Sequence, residues 1–318
     1  MKIIFKVAGI LVLVVALAVL AAWLKYRGPD IPYETLEKKY TNEASHFVDL
    51  PNGVRLHYRD EGNAAGPLLV LLHGYGDSYT SWEGWVATLK DRYRLISLDF
   101  PGHGLTRAPQ DFRLNGDELA DLVEVFAARL ELQKFALAGN SMGGGVAWRF
   151  AVRHPERLNA LILVDAAGFP PQAPPKEVPL AFKILQYPIG RKILASIDNT
   201  PLIDQGLKAD VYDKALITPA LVARWAEFQR APGHRDILMG MNLGNALAAT
   251  TEVVAKITAP TLVIHGQSDV LIELNSSQRM AAAIPNAKLI VYPNVGHLPQ
   301  IEIPQRSAED VAGFLKGL

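Results

Sequence analysis

The sequence predicts an α/β fold in which helices cover both faces of a mostly parallel sheet, with an inserted helical cap and an N-terminal transmembrane helix. From residue 46 onward, short runs of Val, Leu and Ile alternate with amphipathic segments, which is typical of such a sheet. Between Asp165 and Thr261 this alternation stops, and helical patterns replace it. An uncharged apolar run at residues 7–24 predicts the transmembrane helix.

Composition excludes several classes of function. A chain of 318 residues can bury a sizeable core. Lys and Arg balance Asp and Glu at 32 each, so no net field favours a polyanion and we expect no nucleic-acid partner. The absence of cysteine excludes disulfides, thiolate metal sites and a cysteine nucleophile. Phosphate-loop, dinucleotide and paired-histidine motifs are also missing, so we expect no cofactor and no metal.

The apolar run at residues 7–24 would make a helix of ~27 Å, about the thickness of the hydrocarbon core of a bilayer. Residues 1–6 form a basic flank before it, residues 25–45 read as a polar linker, and Trp23 and Tyr26 suit the membrane interface. These features predict a single-pass anchor with the folded domain outside the cytoplasm. A cleaved signal peptide, which would make the protein secreted or periplasmic, is the main alternative. No small-residue cleavage site supports it.

Strands are predicted from short apolar runs in the folded domain. An early edge strand is expected at Val54–Tyr58. The buried strands are expected at Pro67–Leu72, Arg94–Asp99, Phe135–Ala138, Ala160–Asp165, Thr261–His265 and Lys288–Tyr292.

Helices are predicted between these strands. Asn115 and Glu118 form a capping box ahead of an amphipathic segment. A second helix runs from Ser141 to about His154, where Pro155 stops it, and a last one occupies roughly Ala308–Leu318.

Residues 169–255 are interpreted as a helical cap inserted between two parts of the sheet domain, residues 46–168 and 256–318. The insertion opens with several prolines, and one helix is predicted to begin at Thr218-Pro219 and another to run from Asp236 through Leu247. Such a cap would cover the carboxyl ends of the strands, where ligands bind in open α/β sheets. An independent second domain is the alternative.

The strongest chemical signal is Gly139-Asn140-Ser141-Met142-Gly143, which lies between a predicted buried strand and a predicted helix. A serine on so sharp a turn needs an unfavourable backbone conformation and neighbours almost without side chains. The position therefore predicts Ser141 as a nucleophile.

A serine hydroxyl needs a base and a group that orients that base. His297 follows the last predicted strand, and Asp269 follows the strand before it, so the chain order Ser, Asp, His fits this chemistry. Asp165, at the end of another strand, is the rival for the acid. The other histidines have positions that suggest structural roles.

The oxyanion formed during attack needs hydrogen-bond donors. The amide of Met142, at the start of a helix, is one candidate. The second is the amide of Tyr75 in the glycine-rich turn His73-Gly74-Tyr75-Gly76, with the Gly76 amide in reserve. His73 itself and Asp99 are interpreted as structural residues.

With these motifs the chain resembles the α/β-hydrolase superfamily. The resemblance rests on HGYG at 73–76, DFPGHG at 99–104, GNSMGG at 139–144, GQSD at 266–269 and VGH at 295–297. It implies an eight-stranded α/β-hydrolase fold over residues 46–318 and leaves the reaction open, because this fold hosts many chemistries.

Three branches of the superfamily are similar in different ways. Haloalkane dehalogenases and epoxide hydrolases use an aspartate where this chain has Ser141. Carbon-carbon hydrolases of ring-cleavage products share GNSMGG. They carry a tryptophan where this chain has Leu298, and their glycine-rich oxyanion loop is longer than Tyr75-Gly76-Asp77 of this chain. Membrane-anchored monoacylglycerol lipases resemble it in having one N-terminal span before the same core.

The sequence therefore predicts a membrane-tethered serine hydrolase of small hydrophobic carboxylic esters. Trp225, Phe228, Met239 and Met241 give the predicted cap an apolar character that suits lipid-like acyl groups. A carbon-carbon bond hydrolase is the enzymatic alternative, and a hydrolase-fold protein that binds a ligand without turning it over is the alternative from another class.

Overall fold

Eight strands form one sheet in the computed structural model, which describes residues 2–109, 111–113, 115–170, 172, 180–240 and 248–318. The strands are β1 (Ser45–Asp49), β2 (Arg55–Gly62), β3 (Leu68–Leu72), β4 (Arg94–Leu98), β5 (Phe135–Asn140), β6 (Leu158–Val164), β7 (Thr261–Gly266) and β8 (Lys288–Tyr292). Their order across the sheet is β1-β2-β4-β3-β5-β6-β7-β8. Strands β3 to β8 are parallel to one another, whereas β1 and β2 pair in antiparallel fashion at one edge.

Helices surround this sheet. They are α1 (Lys2–Tyr26), α2 (Tyr33–Tyr40), α3 (Glu83–Leu89), α4 (Gly116–Arg129), α5 (Met142–Arg153), α6 (Leu180–Leu185), α7 (Pro188–Ser196), α8 (Thr200–Asp210), α9 (Pro219–Gln229), α10 (His234–Gly240), α11 (Thr251–Val254), α12 (Leu274–Ala283), α13 (Pro299–Glu302) and α14 (Pro304–Lys316). Short 3₁₀ turns occur at Tyr79–Trp82, Pro155–Arg157 and Lys214–Leu216.

The core has two layers, one on each face of the sheet. Successive residues of β3 alternate between them: Leu69 and Leu71 pack towards α3 and α14, and Val70 and Leu72 pack towards α4 and α5. Every residue of β5 and β7 is buried. Because these strands are covered on both faces, they are continuous apolar runs in the sequence, which is why the sequence predicted them.

The predicted strands are all present, within a few residues of their expected limits, and β8 matches its prediction at both ends. The capping box of Asn115 and Glu118 is confirmed at the start of α4. Strand β1 was not predicted. It is only partly buried and includes His46 and Asp49, so it lacks the apolar run by which the other strands were recognised.

Residues 25–45, expected to be a linker, instead contain α2. Leu36 on this helix is 1 % exposed, and Glu37 accepts a hydrogen bond of 2.6 Å from Arg107. Tyr33 and Tyr40 of the same helix pack beside Leu36. One fully buried residue on a short helix gives little sequence signal, which is why the helix was not predicted.

The helical insertion, defined here as residues 180–254, connects β6 to β7. In its described part it contains α6 to α11 and no strand. The predicted start at Thr218-Pro219 is confirmed, because the Thr218 hydroxyl accepts a hydrogen bond from the Leu221 amide. The helix expected at Asp236–Leu247 begins earlier, at His234, and its residues 241–247 lie outside the described residues. The same is true of Pro171, Pro174, Pro175 and Pro179.

Helix α1 is long and apolar enough to cross a membrane. Its segment Gly9–Tyr26 has a mean hydropathy of 2.3, and none of that segment is buried against the rest of the protein. The segment Gly9–Tyr26 therefore contributes nothing to the folded core.

Candidate active site

Ser141 occupies the sharp turn between β5 and α5. Its backbone has φ +54° and ψ −115°, a strained conformation for a residue with a side chain. A Cβ atom on Gly139 would overlap the carbonyl group of Gly143, and a Cβ on Gly143 would overlap the carbonyl oxygen of Leu72. The two glycines therefore let the turn close against the end of β3, as the sequence predicted.

His297 and Asp269 meet at the carboxyl ends of β8 and β7. The Nδ1 atom of His297 lies 2.6 Å from Oδ2 of Asp269. The other carboxylate oxygen of Asp269 accepts hydrogen bonds from the amides of Leu271 (2.7 Å) and Ile272 (3.0 Å), which fix its orientation.

The loop that carries His297 also contacts the Ser141 turn. The Asn140 side chain donates a hydrogen bond of 3.1 Å to the carbonyl oxygen of His297, and the His297 amide donates one of 2.6 Å to the carbonyl oxygen of Asp210 on α8. The Ser141 hydroxyl makes no hydrogen bond within the part of the chain that the structure describes. The structure thus brings the nucleophile candidate, the histidine and the acid to one edge of the sheet.

Burial and charge act in opposite directions on this pair. Burial disfavours the aspartate anion, but the charge and hydrogen bond of His297 outweigh it and lower the pKa of Asp269. Burial also disfavours the imidazolium, but the Asp269 carboxylate outweighs that effect and raises the pKa of His297 above its ordinary value. A charged His297 is therefore stabilised at this position.

Asp165, the rival acid, lies beside Asp269. Its Oδ1 accepts a hydrogen bond from the Gly266 amide (3.0 Å) and lies 3.2 Å from Nδ1 of His265. Burial, followed by the negative charge of Asp269, raises the pKa of Asp165 well above its usual range. The Asp165 carboxyl therefore holds its proton more tightly than an exposed aspartate does.

Asp165, His265 and Asp269 also place their potential ligand atoms within 4.8 Å of one another, a spacing that suits a metal ion. The chemistry of the group does not favour one. The raised pKa of Asp165 makes its carboxyl a poorer anionic ligand, and the Asp269 oxygens are already occupied by His297 and two amides.

The two oxyanion-hole candidates follow the carboxyl ends of the neighbouring strands β5 and β3. Met142 is the first residue of α5, and Tyr75 lies in the turn after β3. Among the described residues neither amide donates to a backbone carbonyl, so both are available to a ligand. The Tyr75 hydroxyl donates a hydrogen bond of 2.9 Å to the Leu238 carbonyl, which joins this turn to the helical insertion.

His73 and Asp99 both hold backbone groups. His73 lies 2.7 Å from the Gly74 carbonyl through Nδ1 and accepts from the Phe100 amide through Nε2. Asp99 accepts hydrogen bonds from the amides of Tyr79 and Leu105. These contacts agree with a structural interpretation of both residues.

A pocket of about 110 Å³, partly open to solvent, adjoins this site. Tyr75 and Gly76 are its only lining residues from the sheet domain among the described residues, and the helical insertion supplies the rest. The lining residues from the insertion include Phe182, Leu185, Leu194, Asn199, Gly206, Leu207, Asp210, Trp225, Leu238 and Met239.

Of the apolar residues expected in the predicted cap, Trp225 and Met239 line the pocket. Phe228 packs instead against Leu36 and Tyr79, and Met241 lies outside the described residues.

Asp210 was not identified from the sequence. Its Oδ1 atom is buried and has no hydrogen-bond partner among the described residues, and burial raises the pKa of its carboxyl to about 6. Its position depends on the packing of α8 against the His297 loop, and an acidic residue at the end of an amphipathic helix carries no sequence signal for that.

Residues 69–312 match the model of the alpha/beta hydrolase family. The chain belongs to the alpha/beta hydrolase family. Two relatives of this hydrolase are each 31 % identical to it. One is a 2-hydroxymuconate semialdehyde hydrolase of Pseudomonas sp. (strain CF600), similar over 83 % of this chain and 91 % of that protein. The other is a pimeloyl-[acyl-carrier protein] methyl ester esterase of Nitrosomonas europaea, similar over 79 % of this chain and 96 % of that protein.

The hydrolase is also similar to the crystal structure of a membrane phospholipase A described as a bacterial virulence factor. The TM-score is 0.73 and the identity 26 %, over 100 % of this chain and 99 % of that one. Hydrolases of esters and of carbon-carbon bonds are thus comparably similar to this chain.

We expect Gly143→Ala to destabilise the hydrolase by about 1–3 kcal/mol, because the new methyl group must displace the end of β3. Gly313→Ala on α14 is the matched control: a Cβ there meets no atom within 4 Å, so the change should be neutral or stabilising. Chemical unfolding of both variants measures the difference. Equal stability of the two variants would show that the turn tolerates a side chain.

We expect Asp165→Asn to gain stability relative to the wild type as the pH rises from 4 to 7. The folded pKa of Asp165 is raised, so above its ordinary pKa the unfolded chain releases a proton that the folded state retains. The free energy of unfolding of the wild type should then fall by up to about 1.4 kcal/mol per pH unit relative to that of the variant.

Unfolding by urea at several pH values measures this slope. Asp204→Asn is the control, because Asp204 lies on α8 in a half-exposed pair with Lys208. A wild-type-minus-variant difference in stability that stays constant with pH would contradict a raised pKa of Asp165.

Proposed function

We propose that the protein is a membrane-anchored serine hydrolase that cleaves hydrophobic, lipid-like carboxylic esters through an acyl-enzyme. The observation that carries the proposal is the strained Ser141 turn beside a His297–Asp269 pair joined at 2.6 Å. Strain at a residue with a side chain is maintained where function requires it. A buried histidine whose ring is oriented by a carboxylate is the base that a serine nucleophile needs.

The proposed reaction has two half-reactions. Ser141 Oγ attacks the ester carbonyl while His297 takes the hydroxyl proton, and Asp269 stabilises the resulting imidazolium. The amides of Tyr75 and Met142 donate hydrogen bonds to the oxyanion. His297 gives its proton to the departing alcohol, which leaves the acyl group on Ser141. A water molecule, deprotonated by His297, then attacks the acyl group and releases the acid, and Ser141 recovers its proton.

The pocket favours an apolar acyl group. Leu207, Trp225 and Leu238 line it together with other apolar residues, and the described lining includes no Lys or Arg. A relative acts on a hydroxymuconate semialdehyde, which is a carboxylate, and binding such an anion here would place it near the Asp210 carboxyl. This charge distribution supports ester hydrolysis over the carbon-carbon alternative.

The arrangement of Ser141, His297 and Asp269 argues against a protein that only binds a ligand.

Membrane anchorage is part of the proposal. Helix α1 has the length and hydropathy of a transmembrane segment, and the likeness to the membrane phospholipase extends over the whole chain. Lys2 and Lys6 precede the apolar run at residues 7–24, which favours a cytoplasmic amino end and a domain on the other side of the membrane. The proposed division keeps a sheet domain at residues 46–168 and 256–318 and a cap at residues 169–255.

Ser141→Ala should reduce ester hydrolysis by at least about 10⁴-fold and abolish labelling by a fluorophosphonate, because both reactions require the same hydroxyl. Ser268→Ala, in the turn before Asp269, is the control and should keep both. Equal labelling of the Ser141→Ala variant would refute the nucleophile assignment. A faster reaction of the wild type with a ring-cleavage diketone than with any ester would favour the carbon-carbon alternative.

Gly206→Leu should narrow the acyl specificity. Gly206 lines the pocket, and a Cβ there would meet no atom within 4 Å, so a leucine side chain can fill the space instead of distorting α8. We expect kcat/KM to fall about tenfold for a dodecanoyl ester, with little change for an acetyl ester. Gly313→Leu, at an equally open position on α14, is the control. A uniform loss across chain lengths would show that the pocket does not hold the acyl group.

A further inference from the structure

Two helices of the insertion, α6 and α7, expose an unusual amount of apolar surface. Among described residues after Tyr26, nine large hydrophobic side chains are exposed, and five of them lie between residues 180 and 193. They are Leu180, Phe182, Tyr187, Ile189 and Ile193.

Helix α7 has two apolar sides. Gly190 and Leu194 are one turn apart and buried against the protein, whereas Ile189 and Ile193 are one turn apart and exposed by 69 % and 49 %. A surface helix ordinarily presents polar residues outward. The outer side of α7 therefore has the composition of a surface that contacts an apolar partner.

The end of the membrane anchor is joined to α7. Arg27 at the end of α1 forms an antiparallel bridge with Ile197, the Gly28 amide donates to the Ser196 carbonyl (3.2 Å), and the Asp198 amide donates to the Tyr26 carbonyl (2.8 Å). A chain that leaves the bilayer at Tyr26 therefore holds the C-terminal end of α7 at the membrane surface.

Further hydrogen bonds fix this arrangement. The Asp30 carboxylate accepts a hydrogen bond of 2.7 Å from Arg235, and the Ile31 amide donates one of 2.7 Å to the Arg230 carbonyl. The anchor exit is thus attached to the insertion at several points, and the insertion cannot turn away from the membrane without breaking them.

The charge of this surface suits a bilayer. Residues 180–197 contain Lys183, Arg191 and Lys192 and no acidic residue, and all three cations are exposed. Apolar side chains interspersed with Lys and Arg are typical of segments that lie in the interface of a membrane with anionic lipids.

We propose that α6 and α7 form a second membrane-contacting surface, in which Leu180, Phe182, Ile189 and Ile193 enter the lipid interface beside the anchor. The proposal rests on the proposed membrane anchorage. Phe182, Leu185 and Leu194 of the same two helices also line the pocket. A lipid ester can therefore pass from the bilayer into the pocket between these helices without crossing water.

The absence of cysteine allows a direct test in the full-length protein. Single variants Ile189→Cys, Leu13→Cys and Val125→Cys are labelled with an environment-sensitive fluorophore and reconstituted into phosphatidylcholine–phosphatidylglycerol vesicles. Leu13 lies in the anchor, and Val125, 40 % exposed on α4, is an apolar control away from the insertion. We expect nitroxide-bearing lipids to quench the labels at 189 and 13 but not at 125.

The outcomes separate the two proposals. Quenching at position 13, with no quenching at positions 189 and 125, would overturn the second membrane-contacting surface and leave the anchor intact. No quenching at position 13 would overturn the anchorage and the second membrane-contacting surface together. Covalent dimers of Ile189→Cys on oxidation, without lipid quenching, would make the surface a contact between two copies and would also overturn the proposal.

A functional measurement complements the fluorescence. Combined Ile189→Asp and Ile193→Asp should lower hydrolysis of a vesicle-embedded ester about tenfold, because charges disfavour the lipid interface. Turnover of a water-soluble acetyl ester should be unchanged, since neither residue lines the pocket. Val125→Asp is the matched control and should affect neither substrate. An equal loss for both substrates would contradict a role at the membrane.

Discussion

The turn at Ser141 can close only because no side chain separates β5, α5 and the end of β3. The carbonyl groups of Gly143 and Leu72 occupy the places where Cβ atoms of Gly139 and Gly143 would stand. The positive φ of Ser141 costs about 1–3 kcal/mol, which the fully buried β5 and the apolar side of α5 offset. The same backbone starts α5 at Met142, while Asn140 holds the loop of His297. One strained turn thus sets the relative positions of the proposed nucleophile, an oxyanion donor and the histidine.

Three acidic residues, Asp269, Asp210 and Glu302, act on the charge of His297, and Asp165 lies beside Asp269. Asp269 is ionised, because His297 and two backbone amides stabilise its anion. Burial raises the pKa values of Asp165, Asp210 and Glu302, so these carboxyls hold protons more tightly than exposed ones do. An ionised carboxylate near His297 stabilises the imidazolium and raises the pKa of the ring, so the protonation of Asp210 and Glu302 affects how basic His297 is.

The sequence predicted those features that are encoded locally. Buried strands such as β5 and β7 are continuous apolar runs, and the turn at Ser141 requires glycines at fixed positions. Features that depend on packing between distant segments were missed or left open. Asp165 and Asp269 both follow the carboxyl end of a strand, and the hydrogen bond of the His297 ring identifies Asp269 as its partner. Asp210 and α2 acquire their environment from residues far away in the chain, and the half-exposed β1 has no apolar run at all.

Helix α8 connects the two regions on which the proposals rest. It begins two residues after Asp198, whose amide binds the Tyr26 carbonyl at the anchor exit, and it ends at Asp210, whose carbonyl accepts the hydrogen bond of the His297 amide. Eleven helical residues span ~16 Å, so the anchor exit and the histidine are held about that far apart by one rigid element. The pocket lies along the same helix, with Asn199 and Asp210 in its lining. An acyl chain that enters beside α7 would therefore extend along α8 and reach Ser141 with its ester group, which accounts for why the insertion is attached to both the anchor and the catalytic loop.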